Sequence, residues 1–121
     1  DTMVFLDNDR LGKPHDEDDA LRMLRELAGR GHTVCTGVSV RCGETSELFA
    51  VSTRVFFRPA TDDEICAYIK TGEPMDKAGA YGVQSRGALF VERIDGDFFN
   101  VMGLPVEQLG LVLARFGVKL L

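Results

Sequence analysis

Residues 33–41 read TVCTGVSVR and residues 51–57 read VSTRVFF, and these two alternating stretches decide the fold. In the first stretch every second residue from Val34 to Val40 falls on one face, as a strand buried on one side requires. Gly43-Glu44 lies between the two stretches and supplies turn chemistry. The pattern therefore predicts a β-hairpin in the middle of the chain.

Amphipathic helices are predicted on either side of this hairpin. Residues 2–6 form a short apolar strand, and residues 16–28 follow as a helix whose first turn is acidic. Acidic residues are favoured there by the helix dipole. After the hairpin, Thr61 and Glu64 form a capping box that opens a second helix, which ends near Gly72.

The C-terminal third contains shorter elements. Residues 88–94 and 98–102 are predicted strands, separated by the turn Asp95-Gly96. Pro105 suits the first turn of a last helix. Its predicted buried face consists of Val106, Leu109, Val112, Leu113 and Phe116. Because helices and strands are interleaved around a hairpin, we expect one α/β domain over residues 1–121, with a mixed twisted sheet flanked by helices.

Composition argues against several classes of function. The net charge is −5, whereas binding of a nucleic acid polymer generally needs a basic face. No apolar stretch is long enough to span a bilayer, so no membrane partner is expected. Cys35, Cys42 and Cys66 lack metal-type spacing, and their odd count favours reduced thiols in the cytoplasm.

Polar residues beside apolar segments are the candidates for chemistry. Asp1-Thr2 stands at the start of a strand, where a carboxylate can hold a divalent metal or activate water. Lys13 follows a glycine and offers a compact charge to a phosphate. Residues 72–84 combine glycines, whose exposed N–H groups bind phosphate, with Asp76-Lys77 and with Gln84. The amide of Gln84 can both donate and accept, which suits recognition of a base edge.

Each candidate also has an ordinary structural interpretation. Asp1 fits a solvated chain end, Lys13 a surface lysine, and Asp95-Gly96-Asp97, which could hold a metal, is more typical of a plain turn. His15 and His32 have no sequence partner for catalysis or metal binding, so we expect surface or structural roles. No nucleophile elbow, Walker loop or GxGxxG motif is present. The residues alone therefore predict an α/β domain with an anion site and do not name a reaction.

A larger pattern emerges when these segments are taken together. The densest part is TGEPMDKAGAYGVQ at residues 71–84, which contains a specific Glu-Pro-x-Asp-Lys-Ala-Gly run. Asp1-Thr2 with its strand, Gly12-Lys13-Pro14, and residues 90–96 and 100–105 accompany it in order. Over essentially its whole length, the chain resembles the Maf family of septum-formation-type nucleotide pyrophosphatases.

The resemblance implies an inosine-triphosphatase-like fold and hydrolysis of nucleoside triphosphates to the monophosphate and pyrophosphate, with Mg²⁺ or Mn²⁺ as cofactor. It implies that Asp1 activates water and binds the metal, and that Lys13 and Lys77 lie near the triphosphate. Thr2 and Gln84 match positions that set base specificity. Residues 81–84 resemble the branch that cleaves dTTP and UTP. A cytoplasmic homodimer that removes non-standard nucleotides is the corresponding expectation for the protein.

The chain departs from the family pattern in two respects. The family begins with a strand and a loop of the form Ser-x-Ser-Pro-Arg-Arg that cradles phosphates, and this chain starts after it. We therefore expect residues 1–121 to lack the family's N-terminal strand, loop and helix. Ser85 stands where the family usually has glycine. The alternative function is a non-catalytic nucleotide-binding or regulatory module linked to cell division, although retention of Asp1, Lys13, Lys77 and Gln84 favours the enzyme.

Overall fold

The computed structural model describes all 121 residues. The strands are β1 (Thr2–Leu6), β2 (Asp9–Leu11), β3 (Gly31–Cys42), β4 (Thr45–Phe57) and β5 (Val91–Asp95). The α-helices are α1 (Glu17–Leu27), α2 (Asp62–Ile69), α3 (Phe98–Met102) and α4 (Val106–Arg115). Three short 3₁₀ turns, Glu73–Asp76, Ala78–Ala80 and Arg86–Phe90, lie between α2 and β5.

The predicted hairpin is confirmed as β3–β4, and it forms the centre of a five-stranded sheet with the order β2-β1-β3-β4-β5. Val34 pairs with Thr53, and Thr36 pairs with Val51. The alternation also holds: Val34, Thr36 and Thr53 are buried on one face. Burial fades towards the hairpin turn, so the core packs against the half of the hairpin that is distant from the turn.

The α/β class with helices packed on a sheet is confirmed, but every strand pairing is antiparallel, where the sequence predicted a mixed sheet. The connection from β2 through α1 to β3 explains this difference. β2 and β3 each run antiparallel to β1, so they are parallel to one another. β1 lies between them, and the two parallel strands therefore never pair.

The core lies between the sheet and the two predicted helices. Asp16 caps α1 by accepting from the backbone N–H of Asp19, and the helix buries Ala20, Met23, Leu24 and Leu27. The capping box of α2 is confirmed, with Thr61 and Glu64 bonded reciprocally. Ile65, Tyr68 and Ile69 are buried on the inner face of this helix.

The predicted strand at residues 98–102 is wrong, because these residues form helix α3. A five-residue apolar run does not distinguish a strand from a helix turn. Asp97 decides the outcome, since its carboxylate accepts from the N–H groups of Phe99 and Asn100 and starts a helix.

β5 and α4 also differ in part from their predictions. Arg86–Phe90 is a 3₁₀ turn, and β5 begins only at Val91. The helix after Pro105 is confirmed as α4, but of its predicted buried face only Val112 is fully buried, and Val106 is exposed. α4 lies over the hairpin instead of the central core, and Arg115 pairs there with Glu47.

None of the helices combines the length and the hydropathy that crossing a lipid bilayer would require.

Candidate active site

A cleft of about 450 Å³ lies between the start of β1 and the segment after α2. Its lining includes all five predicted site residues, namely Asp1, Thr2, Lys13, Lys77 and Gln84. We call Asp1, Thr2, Val4, Val34 and Val101 the strand wall, and residues 73–85 the loop wall. The structure therefore brings together polar residues from three separate parts of the sequence, namely residues 1–2, Lys13 and the loop wall.

The strand wall is held by the pairing of β1 with β3. The N–H of Gly37 donates to the carbonyl of Asp1 at 2.9 Å. Thr2 pairs with Thr36 in the register of the two strands, and their hydroxyl oxygens are 2.9 Å apart. The side chain of Asp1 is exposed at this end of the sheet. The ladder thus fixes the backbone of Asp1 while its carboxylate faces solvent and any substrate.

Asn100 of α3 holds the strand wall from the side of the sheet on which α3 packs. It is fully buried, and its amide donates to the carbonyl of Val51 at 2.9 Å and to the hydroxyl of Thr53 at 3.0 Å. The hydroxyl of Thr36 in turn donates to the backbone carbonyl of Asn100 at 3.1 Å. These bonds join a short helix to two strands, so the position of α3 relative to the sheet is well determined.

The loop wall is organised by the carboxylate of Glu73. It accepts from the hydroxyls of Tyr68 and Ser85, and from the N–H groups of Arg86 at 3.3 Å and Gly87 at 3.0 Å. Burial by itself raises the pKa of Glu73, but these donors outweigh it and the pKa is lowered overall. The carboxylate is therefore ionised at neutral pH and acts as an acceptor that gathers the loop around it.

Close backbone approaches complete the loop wall. The hydroxyl oxygen of Tyr68 also accepts from the N–H of Gly82 at 3.1 Å. Burial, followed by the neighbouring Glu73, raises the pKa of Tyr68, so the phenol stays protonated. Gly87 must be glycine, since a Cβ there would lie 2.3 Å from the carbonyl oxygen of Gly82. Gln84 projects from this braced segment and is exposed.

Two lysines supply positive charge to one end of the cleft. Lys77 lies 2.9 Å from the carboxylate of Asp76. The hydrogen bond from Lys77, with a smaller contribution from the charge of Lys13, lowers the pKa of Asp76. Lys13 and Lys77 both line the cleft, although they come from distant parts of the chain. The cleft is also lined by the carboxylates of Asp1 and Glu73, so its positive charge is local to the two lysines, where the phosphates of a polyanion would bind.

The donor set of the cleft fits a magnesium-type ion that is shared with a substrate. No group of three or more His, Cys, Asp or Glu side chains is close enough to hold a metal on its own. Mg²⁺, however, is usually bound by one or two carboxylates together with water and substrate phosphates. Asp1 and Asp76 are exposed carboxylates that line the cleft. Because Asp76 is already paired with Lys77, Asp1 is the better candidate ligand.

The other polar candidates lie outside the cleft. Asp97 of the Asp95-Gly96-Asp97 turn caps α3, in agreement with the plain-turn interpretation. His15 is exposed, whereas His32 is fully buried and its Nε2 lies 2.7 Å from the hydroxyl of Tyr81. His32 therefore joins β3 to the loop wall, which is a structural role. Cys35, Cys42 and Cys66 are free thiols.

Sequence reasoning missed the residues that support the site. Glu73 was part of the dense polar loop, but nothing indicated that it would bind Tyr68 and Ser85. Asn100 was read as part of a strand, and Thr36 only as an inward-facing strand residue. A cap signal at Asp97 could have identified α3, but the bonds of Asn100 to β3 and β4 join residues too distant in sequence to be foreseen.

Comparisons with known proteins place this arrangement in a family. The family model described as Maf-like protein matches residues 1–116. The chain is 52% identical over 119 residues to a dTTP/UTP pyrophosphatase of Bacillus velezensis, which covers 98% of this chain and 63% of that protein. It is 50% identical over 125 residues to a dTTP/UTP pyrophosphatase of Dictyoglomus turgidum, covering 100% of this chain and 64% of that protein.

A similar relation holds for a third relative. The dTTP/UTP pyrophosphatase of Aquifex aeolicus is 50% identical over 118 residues, which are 98% of this chain and 62% of that protein. The chain thus spans somewhat less than two thirds of the length of the curated relatives that it matches. The match nevertheless includes every residue that lines the cleft, and the chain belongs to the Maf family.

Proposed function

We propose that the protein containing this chain is a nucleoside triphosphate pyrophosphatase that hydrolyses dTTP and UTP to the monophosphate and pyrophosphate. The observation that carries the proposal is the convergence of Asp1, Thr2, Lys13, Lys77 and Gln84 on one cleft. The names of the relatives support the substrate assignment. Removal of non-standard nucleotides from the nucleotide pool follows as the biological role.

Each residue has a defined task in this mechanism. Asp1 accepts the proton of the attacking water, and the bond between the α and β phosphates breaks as pyrophosphate leaves. Lys13 and Lys77 bind the phosphate chain and stabilise the negative charge that develops on the pyrophosphate. Thr2 and Gln84 contact the base. The braced loop wall holds Gln84 in position while the exposed Asp1 remains accessible to water.

A divalent cation, Mg²⁺ or Mn²⁺, is the proposed cofactor, and Asp1 is the residue that would hold it. When bound, such an ion neutralises phosphate charge and supplies Lewis acidity. We further propose that the protein works as a homodimer in the cytoplasm, where the three free thiols would stay reduced. Sedimentation of the full-length protein tests the dimer.

The decisive experiment measures pyrophosphate release from a panel of nucleoside triphosphates with Mg²⁺ or Mn²⁺. The full-length wild type is compared with Asp1→Asn and with Asp9→Asn, which changes an exposed aspartate that does not line the cleft. We expect Asp1→Asn to lower kcat by a factor of roughly 10² to 10⁴, the range for loss of a general base. The Asp9→Asn control should keep the wild-type rate.

Two results would contradict the proposal. Unchanged kcat in Asp1→Asn would remove Asp1 from the chemistry. A folded wild type that binds nucleotides but releases no pyrophosphate from any of them would instead favour the non-catalytic nucleotide-binding module. The same assay on the 121-residue chain alone shows whether this part of the protein is sufficient for catalysis.

A further inference from the structure

A line of hydrogen bonds leads from the cleft into the core. The hydroxyl of Thr2, which lines the cleft, lies 2.9 Å from the hydroxyl of Thr36. The hydroxyl of Thr36 lies 3.1 Å from the backbone carbonyl of Asn100. Thr36 is 1% exposed and Asn100 is 0% exposed, so water does not compete for these groups.

Counting protons fixes the direction of this line. A threonine hydroxyl carries one proton, whereas a carbonyl oxygen can only accept. If Thr36 gave its proton to Thr2, its lone pairs would face those of the Asn100 carbonyl at 3.1 Å in a buried site. The Asn100 carbonyl also accepts from the N–H of Gly103 at 3.0 Å, so it would keep one partner, but the two facing oxygens would repel each other. Thr36 therefore donates to Asn100 and accepts from Thr2.

The carbonyl of Asn100 cannot turn away from Thr36. Asp97 caps the helix that contains Asn100, and the amide of Asn100 is bonded to the carbonyl of Val51 and the hydroxyl of Thr53. With its only proton committed to Thr36, Thr2 offers lone pairs alone to a ligand. The strand wall thus presents a hydrogen-bond acceptor to the cleft.

The surroundings of Thr2 indicate which part of a nucleotide it meets. Val4, Val34 and Val101 line the cleft beside it, while Lys13 and Lys77 come from other segments. Apolar side chains suit the flat face of a base, and ammonium groups suit the phosphates. The hydroxyl of Thr2 is therefore placed to contact the edge of the base.

We propose that Thr36 is a specificity-determining positioning residue, which fixes the hydroxyl of Thr2 as an acceptor towards the base. This inference rests on the proposed function and deepens it. Uracil and thymine carry an N–H donor at N3, which an acceptor binds. Cytosine carries a lone pair at N3, which the same acceptor repels. The device selects UTP and dTTP against CTP without any contact between Thr36 and the substrate.

The test compares kcat/KM for UTP and CTP in full-length Thr36→Val, Thr36→Ser and wild type. Valine removes the hydroxyl at nearly constant shape, which frees the proton of Thr2 to donate to N3 of cytosine. We expect the UTP to CTP ratio to fall about tenfold, the effect of one hydrogen bond of ordinary strength. Serine keeps the hydroxyl and should preserve the ratio.

Thr33→Val is the matched control for loss of a threonine hydroxyl from β3. Thr33 accepts from Arg54 at 3.0 Å, has no hydrogen bond to Asn100 and is not among the residues that line the cleft. Its loss should leave the ratio unchanged. Thr2→Val, at the partly exposed end of β1, removes the acceptor itself and serves if Thr36→Val does not fold. It should also abolish the preference for UTP.

Several outcomes would overturn the proposal. These are a wild type that does not prefer UTP, an unchanged ratio in folded Thr36→Val or Thr2→Val, and an equal loss of preference in Thr33→Val. Dissociation constants of UTP and CTP analogues with an imido group between the α and β phosphates are measured in parallel. If no nucleotide is hydrolysed, the proposed enzyme fails, yet the ratio of these constants still decides the role of Thr36.

Discussion

The strand wall and the loop wall of the cleft carry similar polar groups but are held in different ways. Except for Val101 of α3, the strand wall belongs to the β1–β3 ladder, and it is backed by Thr36 and Asn100. The loop wall has no ladder, and its shape depends on the four hydrogen bonds that Glu73 accepts. Many hydrogen bonds together hold the strand wall in place, whereas the position of the loop wall depends on the side chain of Glu73. A substitution of Glu73 should therefore disorder the loop wall locally. A substitution behind the strand wall should instead lower the free energy of unfolding of the whole domain.

The largest effect is expected from Glu73→Gln. The glutamine amide cannot accept from four donors, because its NH₂ group is itself a donor and only its oxygen accepts. Losing bonds to a charged acceptor should cost roughly 3 kcal/mol of local stability in the loop. Hydrogen exchange should show Gly82 and Gly87 losing protection by about two orders of magnitude, while the β1–β3 amides stay protected. Pyrophosphate release should fall to a similar extent.

Glu44→Gln, in the exposed hairpin turn, is the matched control for this change and should leave exchange and activity as in the wild type. Loss of protection spread evenly over the sheet in Glu73→Gln would show that the two walls form one cooperative unit. The comparison would then no longer hold.

The next effect concerns His32, which joins the two walls through Tyr81. Burial, with a smaller effect of Arg54, lowers the pKa of His32 from 6.5 to about 4. Below pH 6.5 His32 binds a proton in the unfolded chain but stays neutral in the folded chain until the pH approaches 4. The contribution of neutral His32 to the free energy of unfolding is therefore complete above pH 6.5, and it is lost as the pH falls towards 4. Urea unfolding should show a loss of roughly 3 kcal/mol at most over this window.

Carboxylates also titrate in this range, so the quantity of interest is the difference between wild type and His32→Gln. The variant cannot titrate and should lack this part of the slope. His15→Gln, which changes the exposed histidine, should keep it. If the free energy of unfolding changed with pH in the same way in all three proteins, protonation of His32 would not weaken its contact with Tyr81.

A smaller effect is expected from Asn100→Ala behind the strand wall. The substitution removes an amide that donates to Val51 and Thr53 and leaves a small cavity. We expect the free energy of unfolding to fall by roughly 2 kcal/mol, measured by urea denaturation. Protection of the loop-wall amides relative to the core should stay unchanged. Selective loss of protection at Gly82 and Gly87 would contradict the separation of the two walls.

The smallest effect is expected from Ser85→Gly, which introduces the residue that the family resemblance leads us to expect at this position. One of the four donors to Glu73 is lost, but Tyr68, Arg86 and Gly87 remain. The stability should change by less than about 1 kcal/mol, and kcat/KM for UTP by less than about threefold. An effect as large as that of Glu73→Gln would show that the Ser85 hydroxyl, and not the full set of donors, holds the loop wall.

The elements that sequence predicted well are those with strong local signals. The alternation of residues 33–41 and 51–57 fixes a half-buried hairpin, because side chains alternate between faces with a period of two. Thr61 and Glu64 satisfy backbone groups within one turn, so no distant partner is needed. Residues 98–102 failed for the opposite reason. Their apolar run fits either state, and the cap at Asp97 settles it.

By itself, the sequence determined the α/β class, the central hairpin, the capped helices and, through the family resemblance, the residues to consider for the site. Only the tertiary structure decided that Asp1, Lys13, Lys77 and Gln84 meet in one cleft, that Glu73 braces the loop wall, and that Thr36 meets Asn100. The physical reason is the range of the interactions. Periodicity and capping act within a few residues, whereas the bond from Thr36 to Asn100 joins positions 64 residues apart and exists only once the sheet and α3 have packed.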